Sequence, residues 1–188
     1  AHPQIRSRGT VGGSLAHADP AAELPALAVA LGARLRLQRQ GGDRWVEAEQ
    51  FYTGLFSTAL AADELLTEIV WPALPGRSGC AFDEAARRHG DYAQVGVAVV
   101  VRLDDGGRCA AARLVYLAVG DGPFVAGGAA AALVGATPSE ETIAAAAASA
   151  AAEIDPTGDI HASADFKRYL TRTLTARALR RAFARAAA

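Results

Sequence analysis

Hydrophobic positions recur at helical spacing in three parts of the chain. Residues 24–31 carry leucines three or four positions apart, and Gly32 can close that helix. An alanine-rich helix is predicted over residues 137–153, because a Thr-Pro-Ser-Glu-Glu start signal opens the segment. A final helix is predicted from about residue 163 to residue 185, since bulky apolar residues fall on or near one face.

Alternating or uninterrupted apolar positions predict five strands. Charged and apolar residues alternate along the first strand, whereas the fourth is apolar almost throughout. The predicted strands are residues 34–39, 45–48, 65–71, 95–103 and 108–119. The turn residues between the last two strands predict a β-hairpin.

The remaining segments are predicted to be connections. Residues 5–19 are rich in Gly, Ser and Thr and are predicted to form a loop. This loop ends at Asp19, a candidate helix N-cap that precedes Pro20 at a favoured first helical position. Residues 51–60 predict a loop or a short helix, and the glycine-punctuated residues 120–128 predict a loop.

A linker divides the chain into two predicted units. Residues 72–79 contain Pro, Gly, Arg and Ser, and the pattern of elements changes after them. A mixed unit precedes the linker, and a sheet followed by helices comes after it. We therefore predict an α+β fold with domains at residues 1–73 and 79–188.

Composition excludes several classes of protein. The formal net charge is −1, which does not favour a nucleic-acid partner, and no apolar run reaches the roughly 18 residues that a membrane helix needs. Cys80 and Cys109 lie far apart without metal-binding spacing, so we expect no disulfide framework and a reduced, cytoplasmic location. The chain has no methionine and opens inside a motif, so we expect an N-terminal portion to be missing.

The segment Thr-Val-Gly-Gly-Ser at residues 10–14 is the sharpest local signal for ligand binding. Adjacent glycines let a ligand approach the main chain, and successive amide N–H groups can surround an anion. Thr10 and Ser14 add hydroxyl donors, and the helix predicted to follow Asp19 adds a positive dipole. The spacing matches neither the Gly-x-Gly-x-x-Gly dinucleotide motif nor a P-loop. The expected ligand is a pyrophosphate, although ordinary turns share this pattern.

Longer stretches carry a family resemblance. Residues 6–25 resemble the flavin-binding signature of the medium subunit of molybdenum hydroxylases. That family includes aerobic carbon monoxide dehydrogenase, and its flavin fold is related to the FAD domain of xanthine dehydrogenase. The resemblance continues through residues 64–72, 82–97, 163–170 and 177–179.

The resemblance implies a fold and a set of cofactor contacts. The fold would be the second subdomain of a PCMH-type FAD-binding domain, followed by a carbon monoxide dehydrogenase flavoprotein-like C-terminal domain with a small antiparallel sheet packed on helices. The family's first flavin subdomain, with its own Gly-Gly-His-Ser loop, has no counterpart here. The implied FAD-binding residues are Thr10, Val11, Gly12, Gly13 and Ser14 at the pyrophosphate, Glu23 at the hydroxyl-bearing chain, Leu65 or Leu66 and Tyr92 at the isoalloxazine ring, and His17 and Asp19 at the cofactor or its loop.

These residues also have purely structural explanations. A carboxylate at Glu23 favours a helix dipole without any ligand. Asp19 can act only as a cap, and Tyr92 only as a boundary aromatic. No metal-binding spacing joins the histidines His17, His89 and His161. The arginines spaced by four from 177 to 185 face either solvent or an acidic partner.

The function implied by the resemblance is that of an FAD-dependent electron-transfer subunit. A large partner with a molybdenum cofactor would oxidise the substrate, and a small partner with two-iron two-sulfur clusters would relay electrons to FAD. A quinone, NAD or oxygen would accept them, and no side chain of this chain would act as a catalytic acid or base. A heterotrimer or its dimer is expected. Two alternatives are a cofactor-free scaffold relative and a stand-alone PCMH-type flavoprotein oxidoreductase.

Overall fold

The computed structural model describes residues 3–88 and 90–188, so His89 lies outside the described residues. The helices are α1 (Pro3–Arg6), α2 (Val11–His17), α3 (Glu23–Ala30), α4 (Ala48–Phe51), α5 (Gly127–Leu133), α6 (Glu140–Glu153) and α7 (Ala164–Ala187). The strands are β1 (Arg34–Arg39), β2 (Gly42–Glu47), β3 (Tyr52–Gly54), β4 (Ser57–Thr58), β5 (Leu65–Val70), β6 (Ser78–Ala86), β7 (Ala93–Leu103), β8 (Cys109–Leu117) and β9 (Phe124–Val125). The predicted α+β class is confirmed. In the part of the chain described, no helix is long and apolar enough to cross a membrane.

The first layer is a three-stranded antiparallel sheet with the order β2-β1-β5. In β1, Leu35 and Leu37 are fully buried, so the predicted one-sided strand is confirmed. Arg36 lies between them on the opposite face and forms ion pairs with carboxylates on both neighbouring strands. Leu15 of α2 and Phe51 of α4 join the same core, which ties these helices to the sheet.

The second layer is a four-stranded antiparallel sheet, β6-β7-β8-β9, that is buried on both faces. Val97 and Val99 of β7 pack with residues of α6 and α7 in one core. Ala98, between them, packs with residues of α3 in the other core. In β8, Tyr116 and Val115 divide between the two cores in the same way. Burial on both faces explains why β7 is apolar almost throughout.

Helix α7 approaches the backbone of β6 without intervening side chains. A Cβ on Gly79 would lie 1.9 Å from the carbonyl oxygen of Ala182 and 2.6 Å from the amide nitrogen of Ala186. Small residues on α7 and a glycine on the strand therefore allow direct contact between the two backbones.

Charged side chains of α7 also bind β6. Asp83 of β6 accepts hydrogen bonds from the guanidinium of Arg177, one of them 2.6 Å long, and Arg181 lies 3.6 Å from the same carboxylate. Arg185 donates to the backbone carbonyl of Cys80 over 2.5 Å. The arginines spaced by four thus bind the neighbouring strand of their own chain.

The prediction of a loop over residues 5–19 is wrong, because this segment contains α1 and α2. The Thr10 hydroxyl accepts the Gly13 amide N–H over 2.9 Å and caps α2, and Leu15 buries the opposite side of the helix. A cap and a buried leucine therefore outweigh the low helix propensity of two glycines.

The helix start predicted at Asp19 and Pro20 is also wrong. Helix α3 begins at Glu23, and the Asp19 carboxylate instead accepts the Ala21 amide N–H over 2.8 Å. Asp19 therefore closes a turn between α2 and α3, which is the other common use of this side chain.

The loop predicted over residues 120–128 contains β9 and the start of α5. The carboxylate of Glu153, at the end of α6, accepts the N–H groups of Gly128 (3.0 Å) and Ala129 (2.6 Å). A residue 24 or 25 positions away thus caps α5, so no local signal marks its start. The pattern also missed β6, and residues 51–60 contain the last residue of α4 and the short β3–β4 hairpin.

We predict that Gly79→Ala destabilises the chain by about 2 to 4 kcal/mol, because the new methyl group must push α7 away from β6. Urea denaturation should show this as a lower midpoint. Gly76→Ala is the matched control, since a Cβ there meets nothing within 4 Å. Equal midpoints for the two variants would contradict the close backbone contact.

Candidate functional site

The first turn of α2 leaves backbone donors uncovered. Thr10 accepts the Gly13 amide N–H at its hydroxyl (2.9 Å) and the Ser14 amide N–H at its carbonyl (3.0 Å). Among the described residues, no acceptor is bonded to the amide N–H of Val11 or Gly12. Two N–H groups at the positive end of the helix dipole are therefore available to an anion.

The two glycines of α2 have different roles. A Cβ on Gly13 would lie 2.7 Å from the Thr10 hydroxyl oxygen, so Gly13 makes room for the cap. A Cβ on Gly12 would meet nothing within 4 Å and would project into open space. Gly12 is therefore dispensable for packing, and its lack of a side chain keeps the surface beside the uncovered amides open.

A cleft of about 300 Å³, the α2–α3 cleft, lies between α2, α3 and the turn from β6 to β7. Its lining includes five of the predicted cofactor residues, which are Ser14, His17, Asp19, Glu23 and Tyr92. The structure thus brings together residues from both halves of the chain. Val11, Gly12 and Gly13 belong to the same short helix as Ser14 and His17, and Thr10 is its N-cap, but these four residues are not among those that line the cleft.

The side chains around this cleft have distinct surroundings. The His17 ring lies 5.2 Å from the Phe56 ring, centroid to centroid, and Glu23 opens the first turn of α3. Tyr92 is 72% exposed at the β6–β7 turn. The preceding Asp91 accepts the Tyr92 amide N–H over 3.1 Å and also lines the cleft. Sequence reasoning did not single out Asp91, although an aspartate beside a glycine is a turn signal.

Leu65 and Leu66 lie on β5 and are not among the residues that line the α2–α3 cleft. Leu65 is 71% exposed, whereas Leu66 is half-buried against the core shared with α2. Because side chains alternate along a strand, only one of the two faces outward. The assignment of either leucine to a flavin ring stays a prediction.

Glu84 of β6 is an acidic residue that sequence reasoning missed. Its Oε2 atom is buried and has no hydrogen-bond partner among the described residues. Burial, with smaller contributions from the charges of Glu23 and Asp83, raises the pKa of the Glu84 carboxyl above its ordinary value. No local pattern could have revealed this, because burial and the charge of Glu23, a residue distant in sequence, create the environment.

A second cleft of about 400 Å³, the Lys167 cleft, is also lined by residues of the β6–β7 turn. It shares Asp19, Asp91 and Tyr92 with the α2–α3 cleft, and His161 and Lys167 also line it. Tyr92 therefore stands at the boundary between two clefts. No group of three or more potential metal ligands occurs among residues 3–88 and 90–188.

Two known domain families match consecutive parts of the chain. The FAD binding domain in molybdopterin dehydrogenase matches residues 1–74, and the CO dehydrogenase flavoprotein C-terminal domain matches residues 80–182. The chain therefore belongs to the family of FAD-binding medium subunits of molybdenum hydroxylases, as the motifs at residues 6–25 and 82–97 indicated.

Proteins similar to this chain over nearly its whole length carry the names of several different oxidoreductases. The 6-hydroxypseudooxynicotine dehydrogenase complex subunit alpha of Paenarthrobacter nicotinovorans is 44% identical over 99% of this chain and 63% of its own length. The carbon monoxide dehydrogenase medium chain of Afipia carboxidovorans is 37% identical over 99% of this chain and 64% of its own. The structure of quinoline 2-oxidoreductase from Pseudomonas putida 86 matches with a TM-score of 0.92 and 41% identity, over 99% of this chain and 64% of that one. The chain thus spans slightly less than two thirds of these relatives.

We predict that Glu84→Gln stabilises the chain near neutral pH. A carboxyl whose pKa is raised by folding favours the folded state at low pH, and this contribution is lost as the pH rises through the folded pKa. The variant should gain about 0.5 to 1 kcal/mol at about pH 7 and nothing at about pH 4. Urea midpoints measured at both pH values test this.

Glu141→Gln serves as the control for this change, because Glu141 is an exposed glutamate on α6. It should give no gain at neutral pH. Identical pH profiles for Glu84→Gln and the unmodified chain would show that burial does not penalise the Glu84 carboxylate.

Proposed function

We propose that this chain forms part of the FAD-binding electron-transfer subunit of a molybdenum-containing hydroxylase or dehydrogenase. The observation that carries the proposal is the uncovered first turn of α2, a helix whose later residues Ser14 and His17 line a cleft together with Glu23. Family membership supports it, as do relatives whose names describe dehydrogenase subunits.

The residues of α2 and α3 fit the polar part of FAD. The Val11 and Gly12 amides would donate to the pyrophosphate, for which the helix dipole supplies a matching positive charge. Ser14 adds a hydroxyl donor at the cleft. The Glu23 carboxylate is an acceptor suited to the hydroxyl groups of the ribityl chain.

The apolar ring would be held by different elements. Tyr92 is exposed at the cleft boundary and offers an aromatic face to an isoalloxazine ring. Leu65, exposed on β5, is the better candidate of the two leucines, because Leu66 packs against the core. His17 and Asp19 would shape the cleft near the cofactor, through the Phe56 contact and the 19–21 turn.

When bound, FAD would supply the redox chemistry, since it can take up electrons singly and deliver them in pairs. The chain itself would bind and orient the cofactor, with no side chain acting as an acid or base. A large molybdenum-cofactor subunit and a small iron–sulfur subunit are the partners we propose, in a heterotrimer or its dimer. The acceptor would be a quinone, NAD or oxygen.

We also propose that the chain is divided into two domains, at residues 1–73 and 79–188. Each contains its own sheet, and β5 and β6 are joined by residues 71–77, which contain no helix or strand. The domains nevertheless share a core, because α3 packs on one face of the four-stranded sheet. The α2–α3 cleft depends on this packing.

We predict that Gly12→Leu, introduced into the full-length subunit within its complex, weakens FAD binding by about tenfold or more, because the new side chain would occupy the open space beside the amides. Flavin absorbance per polypeptide, measured after gel filtration, reports the loss. Far-UV circular dichroism should be unchanged, since a Cβ at Gly12 meets no atom within 4 Å.

Val11→Ala is the matched control, because it alters a neighbouring exposed side chain and leaves both amides in place. It should retain the flavin. Stoichiometric FAD in Gly12→Leu would refute the pyrophosphate assignment, and a flavin-free unmodified complex would support the scaffold alternative.

A further inference from the structure

A segment between α6 and α7 forms hydrogen bonds with residues on both sides of Tyr92 in the sequence. In this segment, residues 155–162, which we call the strap, His161 accepts a hydrogen bond at Nδ1 from Arg87 Nη1 over 2.6 Å. The backbone carbonyl of His161 accepts another from Gln94 Nε2 over 3.0 Å. Arg87 precedes Tyr92 and Gln94 follows it, so one strap residue holds the β6–β7 turn at both ends.

The strap is itself anchored to α7. The Oδ1 atom of Asp159 accepts the amide N–H groups of His161 (2.7 Å) and Ala162 (3.0 Å). The Oδ2 atom of Asp159 lies 2.9 Å from the ammonium of Lys167, which is only 8% exposed. The bonds with Lys167 and with these amides lower the pKa of the Asp159 carboxyl to about 2. The Asp159 carboxylate therefore stays ionised at any pH at which the protein would work.

The Arg87–His161 bond depends on the charge of the imidazole. An arginine only donates, so Nδ1 must be the unprotonated nitrogen and the ring must be neutral. Protonation would remove the acceptor and place a second cation beside the guanidinium. The described charged groups that line this cleft are Arg87 and Asp91 from the turn, Asp19 from the α2–α3 connection, Asp121 from the β8–β9 connection, Lys167 from α7, and Asp159 from the strap.

Two of the carboxylates in this cleft are already engaged by other groups. Asp159 is already engaged with two amides and with Lys167. Asp91 accepts the Tyr92 amide N–H and lies 3.5 Å from Arg88. The neutral imidazole of His161 is thus the acceptor that keeps Arg87 on the strap.

We propose that His161 is a positioning residue that latches the Tyr92 turn to α7 while its ring is neutral and releases the Arg87 end of the turn when the ring is protonated. The bond from Gln94 to the His161 carbonyl does not depend on the ring and remains in both states. Tyr92 stands between the α2–α3 cleft and the Lys167 cleft, so release would loosen the wall between them. The consequence for flavin access rests on the function proposed above, whereas the latch itself does not.

Two substitutions of His161 separate the acceptor from its titration. His161→Asn retains an acceptor near the position of Nδ1 but cannot be protonated, and His161→Phe removes the acceptor. The readout is hydrogen exchange of amides 87–94 in the full complex at about pH 8 and about pH 5.5, corrected for intrinsic rates. At the higher pH, exchange in His161→Phe should be about three- to tenfold faster than in the unmodified protein and His161→Asn.

The unmodified protein should exchange faster at the lower pH than at the higher pH, while His161→Asn stays protected at both. Arg87→Leu should match His161→Phe at both pH values. The control Ile160→Ala alters a strap side chain that is 94% exposed and should change nothing. Unchanged exchange in His161→Phe, or equal pH dependence in His161→Asn and the unmodified protein, overturns the latch.

FAD content, measured on the same samples, distinguishes this proposal from the proposed function. A latch with the expected pH dependence in a flavin-free complex would refute the cofactor role and leave the latch standing. Bound FAD together with pH-independent exchange at residues 87–94 would support the cofactor role and refute the latch.

Discussion

The candidate site depends on the burial of the four-stranded sheet on both of its faces. Helices α6 and α7 cover one face, and α3 covers the other. A backbone hydrogen bond of 2.8 Å from the Ala118 amide to the Pro20 carbonyl ties the start of this α3 segment to the end of β8. Residues 19–23 are therefore held beside the Tyr92 turn, and the cleft between them follows from packing in the core.

The first turn of α2 shows how one sequence motif can serve two physical roles. Gly13 is required inside the chain, where a methyl group would collide with the capping hydroxyl of Thr10. A Cβ on Gly12 would contact no atom of the chain, so packing within the chain does not require a glycine at this position. Only a ligand bound outside the chain would require it. The motif was expected to bind an anion as a glycine loop. The structure supports the same ligand class through a capped helix whose first N–H groups are uncovered.

Most of the regular structure could be predicted from periodicity. The strands at 34–39 and 65–71, the hairpin built on β7 and β8, and the helices α3, α6 and α7 appear close to their predicted positions. Two of the failures have long-range causes. Helix α5 is capped by Glu153 from another helix, and β6 is held by α7 across Gly79, so neither carries a local signal.

The candidate site could be predicted where its residues lie in recognisable motifs, and not where their surroundings arise only from distant segments. Thr10, Ser14 and Glu23 lie within one short stretch, and their motif was recognisable before the fold was known. Glu84 and His161 acquire their surroundings only when distant segments meet. Their environments depend on tertiary contacts that no spacing rule encodes.

The anchor of the strap also makes the protein easy to probe chemically. Lys167 is the single lysine in the sequence, its side chain is about nine-tenths buried, and its ammonium lies 2.9 Å from Asp159. Acylating reagents that attack primary amines can modify this side chain only when the ion pair opens. The rate at which Lys167 itself is acylated therefore reports on motion of the strap.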